Sequence, residues 1–516
     1  MGLSRTVNYV IRGVYRDSVQ LMEVSERVKR LPGVLDAAVV MGTAANKESL
    51  KPLDLLTVEG EQAGPNDIIV ALKVSESPEQ IFEEVKKILF ETKKAAARHF
   101  SFEDAIKAHP DIKYASISIP GKYVERIALE MLRHGVNLFV FSDHVPVETE
   151  VLLKRKAASR DLLVMGPEAG TAIVSGVGFG FANKVAEGPV GVVASAGSGI
   201  QEFVTLLDHY GLGISHAIGV GARDLSRKVG GIMTRKALKT LDEDPKTLIL
   251  ALIAKQSDID VVREILEGEK FSKPLVTCLL GHETKISEYP QASTLHGLFL
   301  KAASAFSRQV YQKALDALFR DVKALTGLVR RETGFPRAFY SGGTLATETA
   351  YVWTKAGLKV YSNLGSSWTQ QLPSPYVSVE STVVDYGSEE FTEGRPHPII
   401  DPTLRNIRII AELNSPDTCC VAMDLIIGYG APDNIIQKIF GEIGETVLRH
   451  RNKPFVIRLV GTDKDVQYGQ THVLAKHGVI TAPSNALAAA FSAACALGDP
   501  SAIDGLANSL IVEVKL

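Results

Sequence analysis

Val192-Val193-Ala194-Ser195-Ala196-Gly197-Ser198-Gly199 joins an apolar, β-branched run to the start of a helical pattern. A strand that ends in small, hydroxylated and glycine residues before a helix lets backbone N–H groups and the positive helix end converge on an anion. A second such passage, Phe339-Tyr340-Ser341-Gly342-Gly343-Thr344-Leu345, follows another apolar run. Two turns of this kind predict two α/β lobes facing a shared site, with Ser195, Ala196, Gly197, Ser198, Gly199, Gly342, Gly343 and Thr344 as phosphate contacts. The alternative is two ordinary tight strand-to-helix connections, which favour the same residue types. The first turn has neither the Lys-Ser/Thr ending of a P-loop nor the spaced glycines of a dinucleotide fold. It therefore holds a phosphate through N–H groups and hydroxyls, without a dedicated lysine.

Outward from this turn, strands are expected over 191–194, 217–220, 248–254 and 275–280, with helices between. An earlier set covers 115–119, 138–142 and 162–165, alternating with helices over 124–134 and 149–158. A later set covers 338–340, 358–362, 382–385, 419–427, 455–460 and 479–482. Near-continuous apolar strands of this kind belong to parallel sheets covered on both faces. The first ~95 residues read differently, as strand 7–11, helix 17–31, strands 35–41 and 67–72, and helix 81–89, the order of a ferredoxin-like unit. Residues 93–111 read as a linker, and 295–331 as a charged helical connector.

A chain of 516 residues exceeds one ordinary core, so three or four domains are expected. Its formal net charge of −2 gives no electrostatic reason to expect nucleic acid or an anionic membrane surface. Asn8, Arg12 and Arg16 interrupt any signal-peptide core, and no apolar run reaches membrane-spanning length. The four cysteines show no CxxC spacing, which argues against a disulfide framework or a zinc site and fits a reducing cytoplasm. No metal is expected.

Three further stretches carry candidate chemistry. Met165-Gly166-Pro167-Glu168-Ala169-Gly170-Thr171 ends a strand and turns sharply, so Gly166 and Gly170 are expected to line a substrate crevice beside the first turn. In Gly219-Val220-Gly221-Ala222-Arg223-Asp224, Arg223 either pairs an anionic ligand or forms an ordinary surface pair with Asp224. Gly394-Arg395-Pro396-His397-Pro398-Ile399-Ile400-Asp401-Pro402-Thr403-Leu404-Arg405-Asn406 is a stiff, non-helical loop start. Arg395 and Arg405 suit capture of a carboxylate, and His397 suits proton transfer to a leaving nitrogen. The alternative is a structural connection in which Asp401 caps the helix after Pro402. Asp424, inside an apolar strand, is costly to bury unpaired. It either acts at the site or hydrogen-bonds adjacent backbone. His282 reads as a solvated loop histidine.

Gly188-Pro189-Val190-Gly191-Val192-Val193-Ala194-Ser195-Ala196-Gly197-Ser198 resembles the phosphate-site strand and helix start of the α subunit of succinyl-CoA synthetases. Met165-Gly166-Pro167-Glu168 resembles that subunit's preceding turn. Ser341-Gly342-Gly343-Thr344 and Lys453-Pro454-Phe455-Val456-Ile457-Arg458-Leu459-Val460-Gly461-Thr462 resemble the C-terminal domain of the β subunit. Over nearly its whole length, including Asp17-Ser18-Val19, Met41-Gly42-Thr43 and the 394–406 block, the chain is similar to FdrA-like proteins, which join such pieces in one chain.

The resemblance implies a multidomain α/β fold: a ferredoxin-like unit over 1–95, a Rossmann-like CoA-binding-type domain over 112–185, a flavodoxin-like domain over 186–325 and a β-subunit-like ligase-CoA domain over 335–516. Three features depart from the synthetases. Gly281-His282-Glu283-Thr284 is not their phosphohistidine motif, no ATP-grasp-like domain is visible, and their first CoA-binding turn is replaced by the ferredoxin-like unit. These departures suit the oxamate carbamoyltransferase type of reaction with which FdrA-like proteins are associated, in which oxalurate and phosphate give oxamate and carbamoyl phosphate. The alternatives are an acyl-CoA synthetase-type ligase subunit and a non-catalytic ligand sensor. Under the leading expectation Arg395, His397 and Asp424 are catalytic, while Gly166, Gly170, Arg223 and Arg405 contact substrate. Phosphate or carbamoyl phosphate is the substrate, CoA is a further candidate ligand, and no cofactor is fixed. The partners implied are a small carboxylate or ureide and other subunits encoded alongside, in an oligomer.

Overall fold

Ile68-Ile69-Val70-Ala71-Leu72 is apolar at every position, and the computed structural model shows why both faces of this strand need cover. The structure describes residues 5–14, 16, 18–51, 53–75, 77–90, 101–255, 257–330, 333–462, 465 and 471–515. β1 (Arg5–Ile11), β2 (Val34–Met41) and β3 (Ile68–Val74) form an antiparallel sheet in the order β1-β3-β2, with β3 central. Ile68, Val70 and Leu72 pack with Leu21, Val24 and Val28 of helix Ser18–Val28 and with Ile81, Val85 and Leu89 of helix Pro78–Phe90. Ile69 and Ala71 point the other way and pack with Leu50 and Leu55. Side chains alternate across a strand, so one apolar run serves two cores. Asp17 and part of the expected linker, residues 93–100, lie outside the described residues. Beyond them, Phe102–Ala108 is helical.

Close packing divides the chain into two units. Residues 1–105 and 388–397 form one, and residues 106–387 and 398–516 form the other. Among its described residues the larger unit holds three sheets. β4 (Tyr114–Ile117), β5 (Asn137–Val140) and β6 (Val164–Met165) are parallel in that order. The second sheet contains β7 (Thr171–Val174), β8 (Val177–Gly180), β9 (Glu187–Ala194), β10 (Ile214–Gly219), β11 (Ile249–Ala254), β12 (Leu275–Leu279) and β13 (Gln291–Ala292), ordered β13-β12-β11-β9-β10-β7-β8. Its first five members are parallel. The β7–β8 edge hairpin, absent from the sequence expectation, is antiparallel. The third sheet is wholly parallel in the order β16-β15-β17-β14-β18-β19-β20. Its members are β14 (Phe335–Tyr340), β15 (Val360–Ser362), β16 (Gln370–Gln371), β17 (Ser381–Asp385), β18 (Thr418–Ile426), β19 (Phe455–Val460) and β20 (Ile480–Ala482).

The expected connector over 295–331 is two helices, Leu295–Phe306 and Arg308–Thr326. Ser307 is extended between them, and its hydroxyl accepts the Val310 N–H to start the second. One apolar core runs without interruption from Ile173 through Val192, Leu298 and Tyr340 to Leu510, so both large sheets share it.

A pair of glutamates ties the two large lobes together. Glu202 is the sixth residue of helix Gly197–His209, and Glu348 is the sixth of helix Gly343–Lys355. Glu202 accepts the Asn485 N–H at 2.9 Å, at the start of helix Asn485–Leu497 in the other lobe. Glu348 accepts the Leu295 N–H at 2.7 Å, at the start of helix Leu295–Phe306. Each lobe thus contributes an acid to a helix start of the other, where carboxylates are favoured. Arg458 Nε donates to Glu202 at 2.6 Å, and Asn485 Nδ2 donates to Glu348 at 2.8 Å.

Candidate functional site

The two glycine-bearing turns that follow β9 and β14 meet in the larger unit, at the starts of helices Gly197–His209 and Gly343–Lys355. Ser195 N donates to Ile253 O at 3.1 Å, and the Ser195 hydroxyl accepts the Lys255 N–H at 3.3 Å. Strand order explains this, because β11 pairs directly with β9, Ile253 opposite Ala194. Helix Gly197–His209 then begins without a capping side chain, which leaves its first-turn N–H groups without that acceptor.

The second turn closes against the first. Thr344 N donates to Ser198 Oγ at 3.2 Å. A Cβ on Gly342 would strike the Ser198 side chain, and a Cβ on Gly343 would strike both the Asp385 carboxylate and the Lys255 ammonium. Only glycine permits this approach. Gly170 and Thr171 pack against Gly197, and Gly221 packs against Gly166 and Pro167, so the three loops of the first lobe meet as the sequence suggested.

The two turns differ in what already fills them. Ser341 N and Gly342 N donate to the two oxygens of Asp424 at 2.8 and 2.7 Å. Arg405 Nη1 donates to Asp424 Oδ1 at 2.7 Å, to Asp424 O at 3.1 Å and to Ser341 Oγ at 2.6 Å. Both side chains are fully buried. Of the two readings of Asp424, the structure has the one in which it hydrogen-bonds adjacent backbone, as the resident anion of the second turn, and Arg405, expected to contact substrate, is here its counter-ion. With Thr344 N given to Ser198, Gly343 supplies the remaining N–H of that turn.

Arg223 is also engaged. Its guanidinium donates to Glu150 Oε2 and to Val145 O, both at 2.9 Å, and lies 3.6 Å from Glu168. Its ion pair is with Glu150, not with Asp224. Asp224 is buried, accepts from Lys154 at 2.8 Å, and caps helix Ile232–Glu243 through the Met233 and Thr234 N–H groups.

The 394–406 block is divided. Residues 394–397 cluster with the N-terminal unit, where Arg395 Nη2 donates to Ala45 O at 3.4 Å, whereas 398–406 belong to the larger unit. Arg395 therefore braces a loop, and His397 shares that placement. Asp401 accepts from the Thr403 N–H and hydroxyl, which makes it the cap the structural alternative required. The loop bearing His282 is fixed through Glu283 to Tyr351 and Lys355, both at 2.5 Å. Tyr351 lies roughly 12 Å along its helix from the first turn at Gly343.

Lys255 and Asp385 are the site residues the sequence did not disclose. Burial pushes the Lys255 pKa down, opposed by the nearby Asp385 carboxylate. Asp385 Oδ1 accepts the Gly387 N–H at 2.8 Å.

Comparison with known proteins places these pieces in a lineage. Residues 339–495 match the family described as CoA-ligase, and residues 5–105 match the family described as AllF, heavy metal-associated domain. All four cysteines lie beyond residue 105, so thiolate metal ligation has no donors in that domain. The chain is 25% identical to the α subunit of the ADP-forming succinate–CoA ligase of Methanothermobacter thermautotrophicus over 33% of this chain and 58% of that one. It is 26% identical to SauD, a subunit of the ADP-forming sulfoacetate-CoA ligase of Bilophila wadsworthia, over 36% and 64%. PH0766 from Pyrococcus horikoshii OT3 superimposes with a TM-score of 0.33 at 14% identity, over 81% of this chain and 89% of that one, too loosely to carry positions across. The uncharacterized protein YahF of Escherichia coli (strain K12) is 35% identical over 93% of this chain and 96% of its own length. Identity sustained over both whole chains shows that this protein belongs to the FdrA/YahF-like family, a distant branch of the succinate–CoA ligase superfamily.

Proposed function

We propose that the chain carries out the acyl-phosphate half of an ADP-forming acyl-CoA synthetase-type reaction. Hydrogen phosphate would attack the carbonyl carbon of an acyl-CoA, a C–O bond would form as the C–S bond breaks, and the phosphate proton would pass to the departing thiolate. The carrying observation is the uncapped helix start at Gly197–Gly199, which the Ser198–Thr344 bond places against the Gly343 turn. Backbone donors fixed in advance stabilise charge on a phosphoryl group without reorganising. The match of residues 339–495 to the CoA-ligase family supports CoA as the acyl carrier. Phosphorylation of a nucleotide would fall to a partner subunit.

Carbamoyl transfer is the second reading, favoured by the loop at Gly281-His282-Glu283-Thr284, which departs from the phosphohistidine motif of the synthetases. Phosphate would attack the ureido carbonyl of oxalurate, the C–N bond would break, and the phosphate proton would pass to the oxamate nitrogen. One experiment tests both. The purified chain, with its co-expressed neighbours, is incubated with phosphate and either an acyl-CoA panel or oxalurate; hydroxylamine then traps any acyl or carbamoyl phosphate, and only product that requires both protein and phosphate is counted, because thioesters also react with hydroxylamine directly. Trapped product only with acyl-CoA supports the synthetase reading, and product only with oxalurate supports carbamoyl transfer. Phosphate binding without product in either mixture would leave a ligand sensor.

A further inference from the structure

We propose that Lys255 and Asp385 form a donor–acceptor pair that makes the two-turn site select hydrogen phosphate over a fully deprotonated oxyanion such as sulfate. This rests on the anion-site reading above and adds to it the residues that discriminate. Lys255 follows β11, and its backbone N–H is anchored to Ser195 Oγ at 3.3 Å, inside the first turn. Its ammonium reaches the second turn, in the space where a Cβ on Gly343 would stand, and the Asp385 carboxylate borders the same space. Among the described residues, the ammonium makes no hydrogen bond or ion pair. The site therefore holds a cation without a bonded acceptor, beside the uncapped N–H groups of the first turn and the Asp385 carboxylate, while Asp424 is already paired with Arg405.

The chemistry of such a set is asymmetric. N–H groups and an ammonium favour any small oxyanion. A carboxylate accepts hydrogen bonds and cannot donate them, so it repels a ligand that carries only acceptor oxygens. Hydrogen phosphate offers one P–O–H, which Asp385 can accept while Lys255 and the turn N–H groups hold the other oxygens. Sulfate has no proton at neutral pH and meets Asp385 as like charge against like. Asp385 itself is fixed, since Gly387 N–H donates to one oxygen and the Asn363 side chain brackets its backbone. Both reactions proposed above consume the phosphate proton, so an acceptor at that proton suits either.

The test is calorimetric titration of the full chain with inorganic phosphate and, separately, with sulfate at constant ionic strength. The wild type is expected to bind phosphate at least about tenfold more tightly than sulfate. Lys255→Met should weaken phosphate binding by about tenfold or more, and Asp385→Asn should erase most of the preference while keeping sulfate binding. A second measurement needs no variant: acetylation of wild-type lysines followed by mass spectrometry should show Lys255 protected by phosphate and left reactive in sulfate. Equal affinity for the two anions, or unchanged preference in Asp385→Asn, would overturn the selection. Wild-type phosphate affinity in Lys255→Met, or no protection of Lys255, would remove the lysine. Failure of the wild type to bind either anion would instead overturn the anion-site reading itself.

Discussion

Asp424 and Arg405 are opposite charges enclosed in one core, and their geometry makes removal of either expensive. The carboxylate receives two backbone N–H groups and a guanidinium. Asp424→Ala would leave Arg405 buried without a counter-charge, a loss of about 3–5 kcal/mol. Urea denaturation of the two proteins measures it, and a loss below ~1 kcal/mol would mean that water reaches the guanidinium. Arg395 should behave differently. Its contact in the N-terminal unit is one long bond to Ala45 O, so Arg395→Lys should leave trapped-product yield within about twofold and lower the melting temperature slightly. A hundredfold loss of yield would restore Arg395 to the reaction. Sequence pattern found the turns at Ser195 and Gly342 because local chemistry marks them. It missed Lys255, which follows an ordinary apolar strand and becomes a neighbour of Ser195 only once β11 is known to pair with β9. It also assigned Arg405 to a ligand, since a sequence does not show that its partner is Asp424.

At the scale of elements, glycine and acid placement decide how the turns meet. Gly343→Ala should fold, because its position is helical, yet push a methyl group into Asp385 and Lys255. Phosphate binding should fall about tenfold or more, with a modest drop in melting temperature as the two side chains are displaced, and retained affinity would show that the anion sits elsewhere. Helix Gly343–Lys355 also carries Glu348, whose pKa burial pushes up from 4.5 to about 7, with Glu202 adding repulsion. The folded chain therefore keeps a proton that the unfolded chain releases between those values. This contribution to stability is full below about pH 4.5 and is lost as pH rises through about 7. Glu348→Gln should flatten that decline, on the order of 2–3 kcal/mol across the window, read as denaturation midpoints at pH 5 and pH 8. A parallel pH profile in both proteins would show that Glu348 stays ionised in the fold. Most strands were legible as apolar β-branched runs between turn residues. The β7–β8 hairpin was hidden in a glycine-rich stretch after a sharp turn, and the break at Ser307 was masked by apolar periodicity on both sides.

Across the whole molecule, β/α alternation exposed the α/β lobes and the resemblance linked them to the CoA-ligase superfamily. The excursion of residues 388–397 to the N-terminal unit was illegible, because it depends on contacts some 350 positions apart, as between Arg395 and Ala45. Among the described residues, no helix is long and apolar enough to cross a membrane. The larger unit bears a further mark of how its halves depend on each other. Since Glu202 and Glu348 each cap the start of a helix of the opposite lobe, neither half presents a finished surface alone. The two behave as interlocking clasps, each holding what the other leaves open. Fragments separated between the two lobes should accordingly be poorly folded apart and recover native far-ultraviolet dichroism on mixing, with one shared melting transition. Independent melting of the mixed fragments would show that the clasp is dispensable. The same exchange gives a single chain the mutual dependence usually found between the subunits of an obligate heterodimer.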